Sequence, residues 1–194
     1  NYEAESDNLL HRFKAKGTTN ISDPKQITTD NILVLDNEPL SVIQKYLTII
    51  MTDIKGTGSG TLRLKGTGTK PDIIGSIKLN KASFILDYTK CRYTIENGTI
   101  LNFREGELDF GNLKLKDTLG RSGTFSGKLY HNFFSNMAFD LSFKADDARK
   151  GLLVLNTTKR DNTIFYGKVV ANASGSITGP LADMTIRLRG EPTD

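Results

Sequence analysis

Few side chains here have the chemistry for catalysis or metal binding. His11 and His131 are the only histidines and Cys91 the only cysteine in 194 residues. A zinc site draws several Cys and His at short spacings, and neither histidine has a second such ligand within that reach. A lone cysteine excludes an internal disulfide and a thiolate cage. Cys91, in the strand-like run Cys91-Arg92-Tyr93, reads as a small buried residue. His131 follows Tyr130 in an aromatic segment and reads as a packing or turn-capping residue. Glu105, Glu107 and Asp109 alternate and would share one face of a strand. Paired carboxylates can exchange protons with a substrate, but no His, Lys or Tyr partner stands near them in sequence, so a solvated face is expected. Gly56-Thr57-Gly58-Ser59-Gly60 has the glycine content of a phosphate-cradling loop. That role needs a helix N-terminus behind the loop, and a strand pattern follows instead, so a strand connection is expected. There is no Gly-x-Ser-x-Gly elbow. No catalytic residue, metal or cofactor is predicted. Glycosylation-type sequons begin at Asn20, Asn97, Asn156 and Asn172, and chance explains them in an Asn- and Thr-rich chain.

What must be positioned instead is apolar surface. Leu62-Arg63-Leu64-Lys65, Ile77-Lys78-Leu79, Leu113-Lys114-Leu115-Lys116 and Ile186-Arg187-Leu188-Arg189 alternate apolar with cationic residues. Phe139, Leu141 and Phe143 alternate with Asp140, Ser142 and Lys144. Successive strand side chains point to opposite faces, so these runs predict a sheet with one apolar and one basic-polar face. Glycines punctuate the runs, and Gly66 to Asp72 reads as a turn. Asn97-Gly98 predicts a type I′ hairpin joining Cys91–Glu96 to Thr99–Arg104. Residues 146–151 and 158–162 read as loops. Pro39 to Leu47 predicts one short helix, with Asn37 as its candidate cap. The motif of glycine, small polar residue and alternation recurs near Gly60, Gly75, Gly123 and Gly175 without a strict period. The expected fold is all-β: a long antiparallel meander of ten or more strands, residues 1–194 forming a single domain.

The net charge of +4 is too mild and too dispersed for nucleic-acid binding. The cations Arg63, Lys65, Lys78, Lys114, Lys116, Arg187 and Arg189 fit solubility and edge protection; attraction to anionic lipid is the alternative. The run Ile49-Ile50-Met51 is far too short to cross a bilayer. The polar start Asn1 to Asp7, without Met or apolar leader, reads as a segment of a longer protein.

In order, these elements resemble the C-terminal region of TamB-type translocation and assembly proteins, within the wider AsmA-like group. The resemblance spans roughly residues 30–190. It is carried by Pro39-Leu40-Ser41 with the segment through Leu47, then Gly56–Gly60 and Leu62 to Thr67. Pro71 to Leu79 follows, leading to Phe84 and Tyr88, then Tyr93 to Phe103, Asp117 to Gly120 and Gly127 to His131. The ending Phe165-Tyr166-Gly167, Gly175 to Gly179-Pro180 and a last strand is its most specific part. Residues 1–30 fit only as a further strand, Leu9 to Lys16, plus a loop. The Asn- and Lys-rich character is similar to Bacteroidetes forms. An N-terminal membrane anchor, part of the family pattern, does not occur in this stretch.

The resemblance implies a periplasmic part of an inner-membrane-anchored Gram-negative protein, with the sheet rolled into a β-taco or trough with an apolar inner face. It implies an Omp85-type outer-membrane partner of the TamA kind. It also implies a role in phospholipid transport, or in assembly and secretion of outer-membrane β-barrel proteins. Leu62, Leu64, Ile77, Leu79, Phe84, Leu86, Leu113, Leu115, Phe125, Leu129, Phe139, Leu141 and Phe143 are then expected to line a groove for acyl chains or nascent barrel strands. A closed β-sandwich serving as an adhesion or carbohydrate-binding module is the competing expectation; it needs an aromatic platform or a calcium loop, and neither is evident.

Overall fold

The computed structural model describes residues 2–7, 12–22, 27–48 and 50–193. The alternating runs form β1 (Tyr2–Asp7), β2 (Arg12–Asn20), β3 (Thr28–Pro39), β4 (Met51–Thr67), β5 (Asp72–Leu86), β6 (Cys91–Ile95) and β7 (Ile100–Arg104). They continue as β8 (Glu107–Asp117), β9 (Ser122–Asn132), β10 (Ser135–Ala145), β11 (Leu152–Thr157), β12 (Gly167–Pro180) and β13 (Thr185–Pro192). All belong to one 13-stranded sheet in near-sequential order, and every pairing is antiparallel. The all-β meander is as expected. The region before residue 30 contributes two strands, β1 and β2, and the start of β3, where one strand was expected. Leu9, Leu10 and His11, which the expected strand included, lie outside the described residues, as does Ile49.

The register keeps the alternation in phase across the sheet. One rung runs Ala15, Leu33, Leu62, Gly75, Phe103, Leu108, Leu129, Phe139 and Gly179. The adjacent rung, on the opposite side of the sheet, runs Lys14, Val34, Thr61, Ser76, Asn102, Asp109, Lys128, Asp140 and Thr178. A one-residue slip of any strand would exchange its two sets. Leu62, Phe103, Leu108, Leu129 and Phe139 are buried. In a single sheet that burial needs cover from another part of the same sheet. Contacts between distant strands show where it comes from. Tyr93 Oη donates to Leu153 O at 2.7 Å, and Asn156 N donates to Thr89 O at 2.9 Å. Lys70 Nζ donates to Ser135 Oγ at 2.9 Å. The early and late strands therefore fold over toward each other.

Three local expectations are corrected. Asn97-Gly98 does not make a hairpin. β6 pairs with Ser83–Leu86 of β5 and β7 with Gly75–Lys78, so the two run in the same direction along one line. Only Gly98 has a positive φ, of 83°, whereas a type I′ turn requires it at both central residues. The dipeptide is a detour that still serves β5: Gly98 N donates to Leu79 O, Leu79 N to Thr99 O, and Lys81 N to Asn97 Oδ1.

Gly56 to Gly60 is not a connection but the interior of the 17-residue β4. Gly56 has φ +100°, and a Cβ there would lie 2.6 Å from Lys81 O. Glycine thus permits a close approach of β4 to β5 at a register irregularity. The third correction is the helix cap. A 3₁₀ turn, Leu40–Ile43, continues into α1 (Gln44–Leu47), but Asn37 does not cap it. Asn37 sits at φ 53° in a bulge of β3, where its N–H donates to Ser59 Oγ at 2.8 Å. Pro39 holds the N-cap position without a side-chain hydrogen bond.

Candidate functional site

The in-phase apolar residues line a partly open cavity of about 400 Å³. Its walls come from both halves of the meander. Among the expected groove residues, Leu62, Ile77, Leu79, Phe84, Leu113, Phe125, Leu129, Phe139 and Leu141 line it. Four do not. Leu115 is buried, Leu64 and Leu86 are half-buried against the core, and Phe143 instead covers Gly175, where a Cβ would meet its ring at 2.6 Å. Each of these four sits beyond the cavity wall.

The cavity also takes residues that strand-by-strand reading left out. Leu33 and Leu35 of β3, Leu101 and Phe103 of β7, and Leu108 and Phe110 of β8 belong to it. Each pair carries the same apolar-x-apolar signal and could have been found by it. Leu40, Ile43 and Leu47 of the 3₁₀–α segment also line it; their helical spacing was legible, their place in the cavity wall was not. Glu38 is the one ionisable residue of the lining among the described residues. It is buried, and its Oε2 accepts from Arg12 N at 2.7 Å.

Each end of the folded sheet has its own fastening. At one end Asp117 is buried. Its Oδ1 accepts from Leu119 N at 2.8 Å and Arg121 N at 2.9 Å, and its Oδ2 accepts from Leu153 N at 2.8 Å. Tyr93 and Cys91 pack nearby. Burial pushes the Cys91 thiol and the Tyr93 phenol up from their ordinary values, which disfavours a thiolate nucleophile. At the other end the His131 ring stacks on Phe134, centroids 4.7 Å apart, and Phe134 stacks on Tyr46 at 5.2 Å.

The remaining candidates sit outside the cavity. Glu105 lies in the β7–β8 turn, off the strand that holds Glu107 and Asp109. Lys128 Nζ reaches Glu107 at 3.0 and 3.1 Å, and Arg104 reaches Glu107 at 3.3 Å and Asp109 at 3.7 Å. The hydrogen bond to Glu107 raises the Lys128 pKa, as expected of an ion pair held together. Arg63 grips Asp30 through two hydrogen bonds of 2.7 and 2.6 Å, and Lys114 reaches Asp146 at 3.1 Å.

Among the described residues, no group of His, Cys, Asp and Glu could hold a metal ion, and no helix is long and apolar enough to cross a membrane. No family model, curated protein or solved structure matches the chain.

Proposed function

We propose that the chain is a periplasmic segment of a TamB-type envelope protein, and that its interior cavity takes up phospholipid acyl chains. The observation that supports this is the cavity itself. About 400 Å³ falls within the roughly 300–1,000 Å³ usual for small-molecule sites, and all but a few of its lining residues are aliphatic or aromatic. Such a surface does no chemistry. It works by partition, each acyl CH₂ moved out of water contributing about 0.8 kcal/mol. In this reading the segment acts beside an Omp85-type outer-membrane partner of the TamA kind.

A second reading places a nascent barrel strand, rather than lipid, on the protein. It draws on β1 and β13, each paired on one side only among the described residues, which leaves backbone groups for β-augmentation.

Native mass spectrometry of the purified chain tests both. The lipid reading expects co-purified phospholipid on the wild type and none on Leu141→Arg. Leu35→Arg, at a half-buried lining position where the long side chain can reach water, repeats the test with less risk to folding. A lipid-free wild type, or folded Leu35→Arg still fully loaded, overturns it. Bound peptide in place of lipid supports the second reading.

A further inference from the structure

Two adjacent rungs on the polar side of the late strands differ from the rest of that face. One runs Asn112, Ser126, Ser142, Ser176 and Arg187; the other runs Lys114, Thr124, Lys144, Ser174 and Arg189. The short hydroxyl side chains in the middle leave a furrow of about 660 Å³ between the longer cations. Ser126 and Ser142 hydroxyls lie 2.9 Å apart on its floor.

Elsewhere on the polar side several cations are matched by carboxylates, as Lys14 is by Glu5, Arg63 by Asp30 and Lys128 by Glu107. These two rungs contain no carboxylate. The neighbouring Asp146 is already engaged by Thr124 and Lys114. Lys144, Arg187 and Arg189 make no ion pair among the described residues. The furrow therefore presents three cations without an ion-pair partner among the described residues, Lys144 alone feeling the charge of nearby Asp146, beside a hydroxyl floor. Guanidinium groups match phosphate oxygens two at a time, and hydroxyls can both donate and accept beside them.

The ligand's form follows from the edge strand. Ile186 and Leu188 alternate with the two arginines on β13 and are 48% and 65% exposed. No strand covers the outer side of β13 among the described residues. Cations and exposed apolar side chains thus share one free edge, on its two opposite faces. A soluble phosphate would use only the cations, whereas a bilayer interface accommodates both.

We propose that the β13 edge, with the adjoining rim of the furrow, docks edge-on against a bilayer surface rich in anionic phospholipid. Arg187, Arg189 and Lys144 meet the headgroup phosphates, and Ile186 and Leu188 enter the interfacial layer. The proposal is independent of what fills the interior cavity, because docking needs no lipid uptake.

Co-sedimentation with vesicles of phosphatidylglycerol mixed into phosphatidylcholine tests it. The wild type is expected to bind these and not pure phosphatidylcholine vesicles, with binding weakened by salt. Arg187→Gln with Arg189→Gln should weaken partitioning about 30-fold, at about fivefold per cation near an anionic surface. Arg187→Lys with Arg189→Lys should retain most of it. Lys65→Gln with Lys78→Gln removes the same charge from the other half of the sheet and should bind as wild type. Equal loss in that control, or undiminished binding by the Gln pair, overturns the site. Full competition by free glycerol 3-phosphate overturns the bilayer as its ligand.

Discussion

At the scale of single residues, two side chains tie the late strands to the early ones by binding the backbone of a third residue. Leu153 donates its N–H to Asp117 and accepts at its carbonyl from Tyr93. Both partners lie far from it in sequence, and both are buried. A buried N–H left without an acceptor costs about 1–3 kcal/mol, more than a typical hydrogen bond contributes net. Asp117 serves three N–H groups, so Asp117→Ala should destabilise by about 3 kcal/mol or more. Tyr93→Phe keeps the ring and removes one donor, for about 1 kcal/mol. Urea unfolding midpoints of the two variants check the order. Equal effects would mean that the Asp117 carboxylate does not hold β11 through its backbone.

At the scale of elements, the stack of His131, Phe134 and Tyr46 joins the β9–β10 turn to α1 and carries a pH dependence. His131 Nδ1 accepts from Phe134 N at 3.4 Å, so its proton sits on Nε2, which is buried with no partner among the described residues. Burial lowers the His131 pKa, with Asp72 opposing weakly. The unfolded chain then takes up a proton more readily than the folded one. The associated stability is complete above the ordinary value of about 6.5 and is lost as pH falls below it. Lowered carboxylates such as Asp30 and Asp146 act near pH 4 and below, in a separate window. Unfolding midpoints should therefore drop between pH 7.5 and 5 in the wild type and stay level in His131→Phe. An unchanged slope in the variant would assign the dependence elsewhere.

The same elements show what local pattern can and cannot carry. Leu62-Arg63-Leu64-Lys65 was readable because each strand stacks in register with its neighbours, so a two-residue period survives in the sequence. Asn97-Gly98 misled because the signal that marks a hairpin also suits a detour within one strand line, and only the path of β5 distinguishes them. Gly56–Gly60 misled because glycine usually punctuates strands, whereas here it admits close approach inside one. The contacts of Asp117 with Leu153 and of Tyr46 with Phe134 join residues far apart in sequence, and no local period encodes them. The parity of the cavity wall was therefore legible, while its extent and its fastened ends were not.

At the scale of the whole molecule, the sheet has two edges that differ from its middle. β5 and β9 are paired on both sides, whereas β13 is exposed at every position. An unfastened meander would fray progressively from β13 through β12 and β11, since each strand would depend on the one inside it. The fastening of Leu153 to Asp117 and Tyr93 breaks that order, because it ties β11 to the β6–β8 region rather than to its edge. Native-state hydrogen exchange separates the two behaviours. Amides of β13 should exchange fastest among the late strands, while Leu153 N–H should exchange as slowly as amides at the centre of β5. Asp117→Ala should then accelerate exchange at Leu153 and along β11, with little change in β5. If β11 already exchanges with β13 in the wild type, the early and late halves are not held as one cooperative unit, and the interior cavity is open to solvent on that side.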